Sequence, residues 1–238
     1  MFQLTILHAR NVSRARKDNF ICVKHAYDYW NLQPEIHPHF HGTFSTNYYI
    51  HLNHYFYRIP DNVSDAARAD CELSQVYFGL VQANVTYGQY VVIQGAGGLG
   101  LNAAAVAKEK GVTVIVVDGV QKRLEKAKQF GADHVINLSD FETLEERKKV
   151  ILELTEGVGA HVVMELVGVP AAFSEGIHYI RPGGKYVSIE NITPGRLVEF
   201  DPGLLTRKSI QIIPVVRYNP WYLRKSLEFL KYQWEISF

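Results

Sequence analysis

Between the largely apolar stretch Tyr90 to Gln94 and the alanine-rich stretch Leu101 to Lys110 stands the run Gly95-Ala96-Gly97-Gly98-Leu99-Gly100. Its glycines fall at the G-x-G-x-x-G positions of a strand-to-helix turn that holds a dinucleotide. Gly95 permits the tight turn, Gly97 lets main-chain amides approach a pyrophosphate, and Gly100 lets the helix pack close to the strand. The helix entered through Gly98 and Leu99 then presents unpaired N–H groups to the phosphate charge. Such a turn constrains the fold because it works only inside a strand, helix, strand unit.

The rest of the chain supplies that unit and repeats it. Thr113 to Val117 reads as a second buried strand, and the alternation continues through helix Gln121 to Phe130, strand His134 to Ile136, helix Leu144 to Thr155, strand His161 to Leu166, helix Ala171 to Ile180, strand Gly184 to Ile189 and strand Ile210 to Pro214. Strands as apolar as Val-Ile-Val-Val at Val114 to Val117 are expected where helices cover both faces of a parallel sheet. The expected fold class is therefore α/β, a doubly wound parallel sheet of six strands.

Asp118 closes the second strand, 23 positions after Gly95, where a carboxylate can accept hydrogen bonds from both hydroxyls of an adenosine ribose. It would repel a 2′-phosphate. Gly119 follows it in place of a basic residue, so NAD is favoured over NADP. Arg123, a turn further on, can cover the adenine or approach the ribose edge, or lie on a solvated helix face.

Composition bounds the remaining function classes. Of 238 residues, 47% are hydrophobic and 21% charged, with a formal net charge of +1, which suits a folded chain without a general attraction for nucleic acid or anionic membrane. Cys22 and Cys71 are too few for a disulfide framework and point to a reducing compartment, the cytoplasm. Asn-x-Ser/Thr triplets at Asn11, Asn62, Asn84, Asn137 and Asn191 would matter only in a secreted chain. No apolar run reaches the roughly 18 residues of a membrane span, and Met1 to Arg10 lacks the layout of a signal peptide.

A composition break near Pro60 marks a domain boundary, since residues 1–59 hold seven of the ten histidines. The expected division is 1–75 and 76–238. His37, His39 and His41 alternate, so on an extended strand they would share one face, with His51 and His54 within reach as further metal ligands; the alternative is imidazoles that face solvent. Arg10, Arg14, Arg16 and Lys17 read as a solvated face or coil.

From Ile59-Pro60-Asp61-Asn62-Val63 through Cys71-Glu72-Leu73-Ser74-Gln75-Val76-Tyr77 to the glycine turn, the order of residues resembles the medium-chain, zinc-containing alcohol dehydrogenases. Gly131-Ala132-Asp133, Gly157-Val158-Gly159-Ala160, Glu165-Leu166-Val167-Gly168 and Arg181-Pro182-Gly183-Gly184 carry the resemblance on, over about residues 40–230. It implies a Rossmann domain preceded by a small remnant of the family's GroES-like catalytic domain. It also implies that Cys71 is the third ligand of a catalytic zinc, that Val167 and Ile189 neighbour the nicotinamide through their backbone, and that Ser74 lies near the cofactor. A thiolate suits zinc, which polarises an alcohol oxygen for hydride departure; the alternative for Cys71 is a buried, inert cysteine at the start of a helix.

Several positions depart from the family pattern. The family's Gly-His-Glu triplet does not occur, and laying Cys22 on the first position of its structural zinc lobe puts His25, Asp28 and Ile36 on the others, where isoleucine cannot ligate a metal. Gln75 replaces a threonine beside the nicotinamide and Glu190 replaces a glycine. The chain resembles a member shortened at both ends.

Three functions are open on this reading. The first is oxidation of an alcohol with NAD⁺, or the reverse reduction of an aldehyde or ketone. The second is NAD(H) binding without turnover, because zinc ligands are missing. The third is zinc-independent, quinone-reductase-like catalysis, which would use NADPH and against which Asp118 argues. The family habit of joining subunits along the last sheet edge, around Ser209 to Val216, implies a homodimer, with Pro214 interrupting that edge's hydrogen bonding.

Overall fold

The computed structural model describes residues 33, 35–37, 39, 46, 57–60, 70–191 and 193–232. Its elements in chain order are α1 (Asp70–Gln82), β1 (Tyr90–Gln94), α2 (Gly98–Glu109), β2 (Thr113–Asp118), α3 (Gln121–Gln129), β3 (His134–Asn137), α4 (Leu144–Leu154), β4 (Ala160–Glu165), α5 (Pro170–Tyr179), β5 (Ile180–Ser188), α6 (Pro202–Lys208), β6 (Gln211–Pro214) and α7 (Trp221–Tyr232). One compact unit runs from Gln75 to Val216, and α7 belongs to a second.

The expected six strands are present and form one sheet in the order β3-β2-β1-β4-β5-β6, every pair parallel. Strand order reverses between β1 and β4, which opens the crevice at their carboxyl ends where doubly wound sheets take ligands. Alternation along β1 shows why the sheet is covered twice. Val92 joins Ile115, Val163, Ile177 and Tyr186 in the core on one face, while Ile93 points at α2 and would lie 3.8 Å from a Cβ on Gly100. Val91, Val92 and Ile93 are all fully buried. On the α2 side, Ala103, Ala104 and Ala107 are fully buried, and their small side chains let the helix axis approach the sheet.

Local signals set the helix ends. Thr143 and Glu146 form a capping box at the start of α4, with Thr143 N–H donating to Glu146 Oε2 at 2.9 Å and Glu146 N–H to Thr143 Oγ1 at 3.3 Å. Arg147 then clamps α4 to α5 through a two-pronged pair with Glu175, at 2.8 and 2.9 Å.

Three segments differ from the sequence reading, one being helix α7, which has no counterpart in it. Helix α6 is absent from it, although Asp201 caps Gly203 N–H at 2.8 Å and Pro202 occupies the first turn, a helix-start signal in a segment too short to show periodicity. Strand β5 begins at Ile180 rather than Gly184, because Arg181-Pro182-Gly183-Gly184, which reads as a turn, is carried inside the strand by a register shift between its pairings with Ala160 and Val162.

Near the N-terminal end of the chain, His37 and His39 are exposed and lie at a turn, with Ile36 N–H donating to Gln33 O and His39 N–H to Ile36 O. That is not the extended strand that would align the histidines on one face. Their rings meet edge to face at 5.6 Å. His41, His51, His54, Cys22, His25, Asp28 and the basic stretch lie outside the described residues, as does most of the expected catalytic-domain remnant.

Candidate functional site

At the carboxyl end of β1 the backbone leaves the strand through Gly95, whose φ of +101° is a conformation side chains rarely adopt. A Cβ there would also press on Leu166 O at 2.8 Å and Val167 Cγ2 at 2.9 Å, so the turn lies directly against the chain leaving β4. Gly100, one turn into α2, faces Gly95 O so closely that a Cβ would sit 1.9 Å from it. Gly97 is different: a Cβ on it would meet nothing within 4 Å. The turn is thus packed on the inside and open at Gly97, the N-cap of α2.

No side chain caps α2 at Gly97. The amides of Gly98, Leu99 and Gly100 begin the helix, where no intrahelical acceptor exists and the helix dipole is positive. An anionic oxygen satisfies both conditions.

Asp118 completes this end of the crevice. Its side chain is 8% exposed, and Oδ2 accepts the Ala96 N–H at 2.7 Å while Oδ1 accepts the Val120 N–H at 2.8 Å. Residues 22 positions apart in sequence are therefore locked together across the first strand crossover. A carboxylate has about four acceptor sites, so two remain for the hydroxyls of a sugar. Arg123 Nη1 lies 3.9 Å from Asp118 Oδ2 and its side chain is largely exposed, so it acts on the carboxylate through charge rather than a close hydrogen bond.

The other half of the crevice is built at the ends of β4 and β5. Val167 is 45% exposed, while Ile189 is buried and hydrogen-bonds through its N–H to Glu165 O. Glu165 itself is fully buried; Oε1 accepts the N–H groups of Val167 at 2.9 Å and Gly168 at 2.7 Å, and Oε2 accepts that of Asn191 at 3.2 Å. Beneath it, Gln94 donates to Ala172 O, and burial with the nearby Glu165 charge raises the Tyr186 hydroxyl far above its ordinary pKa, leaving it a proton donor to Gln94 Oε1. A cleft of about 280 Å³ beside these loops is lined by Gly168, Pro170, Phe173, Glu190, Asn191 and Arg196 among others.

The structure brings Gly95 to Gly100, Asp118, Arg123, Val167 and Ile189 to the carboxyl ends of one sheet. Ser74 and Cys71 lie on α1, in the stretch assigned to the other unit. Ser74 is fully buried and its hydroxyl meets Ser226 Oγ at 2.9 Å. Gln75, on the cofactor-domain side of the division, gives its side-chain amide to Val215 O at 3.2 Å. Cys71 is an exposed thiol in the first turn of α1, so the alternative of a buried cysteine there does not hold. Among the described residues no group of three or more His, Cys, Asp or Glu side chains could hold a metal ion, so Cys71 has no described set of co-ligands. The glycine turn, in contrast, offers what a dinucleotide phosphate requires, an open face at Gly97 and a helix start without a side-chain cap.

Sequence reasoning missed the bracing roles of Glu165, Gln94 and Tyr186. Glu165 carried a signal, an acid directly after the buried apolar run Val162-Val163-Met164.

No helix among the described residues is long and apolar enough to cross a membrane. A family profile described as zinc-binding dehydrogenase matches residues 98–232. D-xylulose reductase A of Aspergillus oryzae is 36% identical over 152 residues, covering 63% of this chain and 42% of the relative. Sorbitol dehydrogenase of Halalkalibacterium halodurans is 31% identical over 175 residues, covering 72% and 49%. The crystal structure of an alcohol dehydrogenase from Thermotoga maritima superimposes with a TM-score of 0.71 at 28% identity, covering 75% of this chain and 50% of that one. The chain thus spans about half the length of the relatives it matches. With the glycine turn, the acid at the end of β2 and the six-stranded parallel sheet all in place, the chain belongs to the zinc-binding dehydrogenase family.

Proposed function

We propose that this chain binds NAD(H) and serves an alcohol oxidoreductase that transfers a hydride between a small-molecule alcohol and its aldehyde or ketone. The observation that carries the reading is the 2.7 Å contact of Asp118 with the Ala96 amide, beside the open face at Gly97. It brings the carboxylate proposed to take the ribose up against the turn proposed to take the phosphates. The amides of Gly97, Gly98, Leu99 and Gly100 hold the pyrophosphate, Asp118 takes the ribose hydroxyls, and Arg123 covers the adenosine edge. Val167 and Ile189 flank the nicotinamide end. Ser74, whose hydroxyl meets Ser226, is a further residue that the family resemblance assigns to the cofactor.

When bound, NAD⁺ supplies the hydride acceptor. The residues of the chain orient it: the helix N-terminus fixes the diphosphate, the buried strands exclude water from one side, and the loops after β4 and β5 set the depth of the ring. The names of the relatives, D-xylulose reductase and sorbitol dehydrogenase, support a polyhydroxylated alcohol as the substrate class. Cys71 is the candidate zinc ligand, and the paucity of cysteine supports the cytoplasm as the address.

NADH fluorescence titration of the purified chain, together with metal analysis, tests the reading. Saturable NADH binding, one tightly held zinc and alcohol-dependent NADH formation are the expected results. Cofactor binding with neither zinc nor turnover gives a binding unit without catalysis, a preference for NADPH gives the quinone-reductase-like alternative, and failure to bind either cofactor sinks the proposal.

Association is the second part of the reading. β6 stands at the sheet edge with Gln211, Ile212 and Pro214 exposed, and Val216 just beyond it is 52% exposed. A twofold pairing of that edge would cover it and make a homodimer. Light scattering should report twice the chain mass; a monomer at all micromolar concentrations would reject the pairing.

A further inference from the structure

A carboxylate with no exposure at all has to be matched by donors or it destabilises the fold. Glu165 is matched by three main-chain N–H groups, and what matters is where they come from. Val167 and Gly168 belong to the loop between β4 and α5, whereas Asn191 follows β5. Each loop leaves the carboxyl end of its strand, and each carries one of the two residues placed beside the nicotinamide, Val167 and Ile189. Gly168 has a φ of +72°, and a Cβ there would lie 3.3 Å from Glu190 O, so the two loops also touch directly. Their other ties are exposed: Asn191 Nδ2 to Val169 O at 3.4 Å and Arg196 Nη1 to Gly168 O at 3.1 Å.

We infer that Glu165 is a positioning residue, whose buried carboxylate holds the β4–α5 loop and the loop after β5 at one fixed spacing and thereby sets the seat of the nicotinamide ring. This deepens the NAD(H) reading and rests on it. The two oxygens do separate jobs: Oε1 organises the first loop, and Oε2 reaches the second. Ionised carboxylate is an acceptor at both oxygens, but a carboxamide is an acceptor at only one. In Glu165→Gln the amide oxygen can still serve Val167 and Gly168, while its NH₂ group is turned towards the Asn191 N–H, donor against donor. The substitution therefore removes the carboxylate's link between the loops with almost no change in volume and leaves only their other contacts.

NADH and ADP affinities, measured on wild type and Glu165→Gln, test this. NADH should bind about tenfold more weakly to the variant, the scale of one charged hydrogen bond, while ADP, which uses only the cradle and Asp118, binds unchanged. Bound NADH should also show altered nicotinamide emission in the variant. Equal NADH affinity and emission in the two proteins would overturn the positioning role while leaving the dinucleotide reading intact. Wild type that binds neither ligand would instead sink the underlying reading. Should the variant not fold, amide hydrogen exchange on the wild-type chain decides: NADH should raise protection at Val167, Gly168 and Asn191 together, and ADP should not. A rise in one loop only, or an equal rise with ADP, overturns the inference.

Discussion

Asp118→Ala should weaken NAD binding by about 10- to 100-fold, the loss expected when a sugar's two hydroxyls give up a charged acceptor. The same change removes the acceptor of the Ala96 and Val120 amides, so the glycine turn also loses its lateral support. Each amide left without a partner costs about 1–3 kcal/mol if water cannot reach it. Asp118→Asn separates the two effects, because its remaining oxygen can hold one amide while its NH₂ group opposes the other. Isothermal titration with NAD and NADP gives the readout. Discrimination against NADP should shrink in the alanine variant, since the charge that repels the 2′-phosphate is gone; an unchanged NAD affinity would remove Asp118 from the site.

Gly100→Ala is expected to cost about 3–5 kcal/mol of stability, at the severe end of single substitutions. The new methyl carbon would lie 1.9 Å from Gly95 O, a main-chain atom that cannot rotate away, so either α2 or the end of β1 has to move. Gly97→Ala makes the contrast. Its φ of −74° suits alanine and its Cβ would meet nothing within 4 Å, so the fold should tolerate it. The methyl group then occupies the space left for the pyrophosphate, and NADH affinity should fall while the urea midpoint stays near that of wild type. Urea unfolding of both variants checks the pair. Equal stability of Gly100→Ala and wild type would mean that the helix does not pack on the strand as described.

These two glycines are spelled identically in the sequence, and there lies the division between what could be read early and what could not. The strand, helix, strand grammar was legible from residue 90 onward because buried strands need unbroken apolar runs, glycine punctuates them, and the helices between carry a helical period. The turn at Gly95 to Gly100 and the acid ending β2, the proposed half-site, were legible as neighbours for the same reason, since they bound one local crossover. Helix α6 and the early start of β5 were not, because seven residues carry no periodicity and a bulge hides a turn signal inside a strand.

The sequence by itself determined the fold class and the glycine turn proposed as the cofactor cradle, because both follow from hydrophobic period and from glycines at fixed offsets along one stretch of chain. Only the tertiary structure decided that Gly97 is open while Gly100 is closed, that Asp118 touches Ala96, and that Glu165 joins two loops separated by a whole helix and strand. Those facts depend on distances between segments remote in sequence, which periodicity does not encode; they arise when parallel strands bring their carboxyl ends side by side.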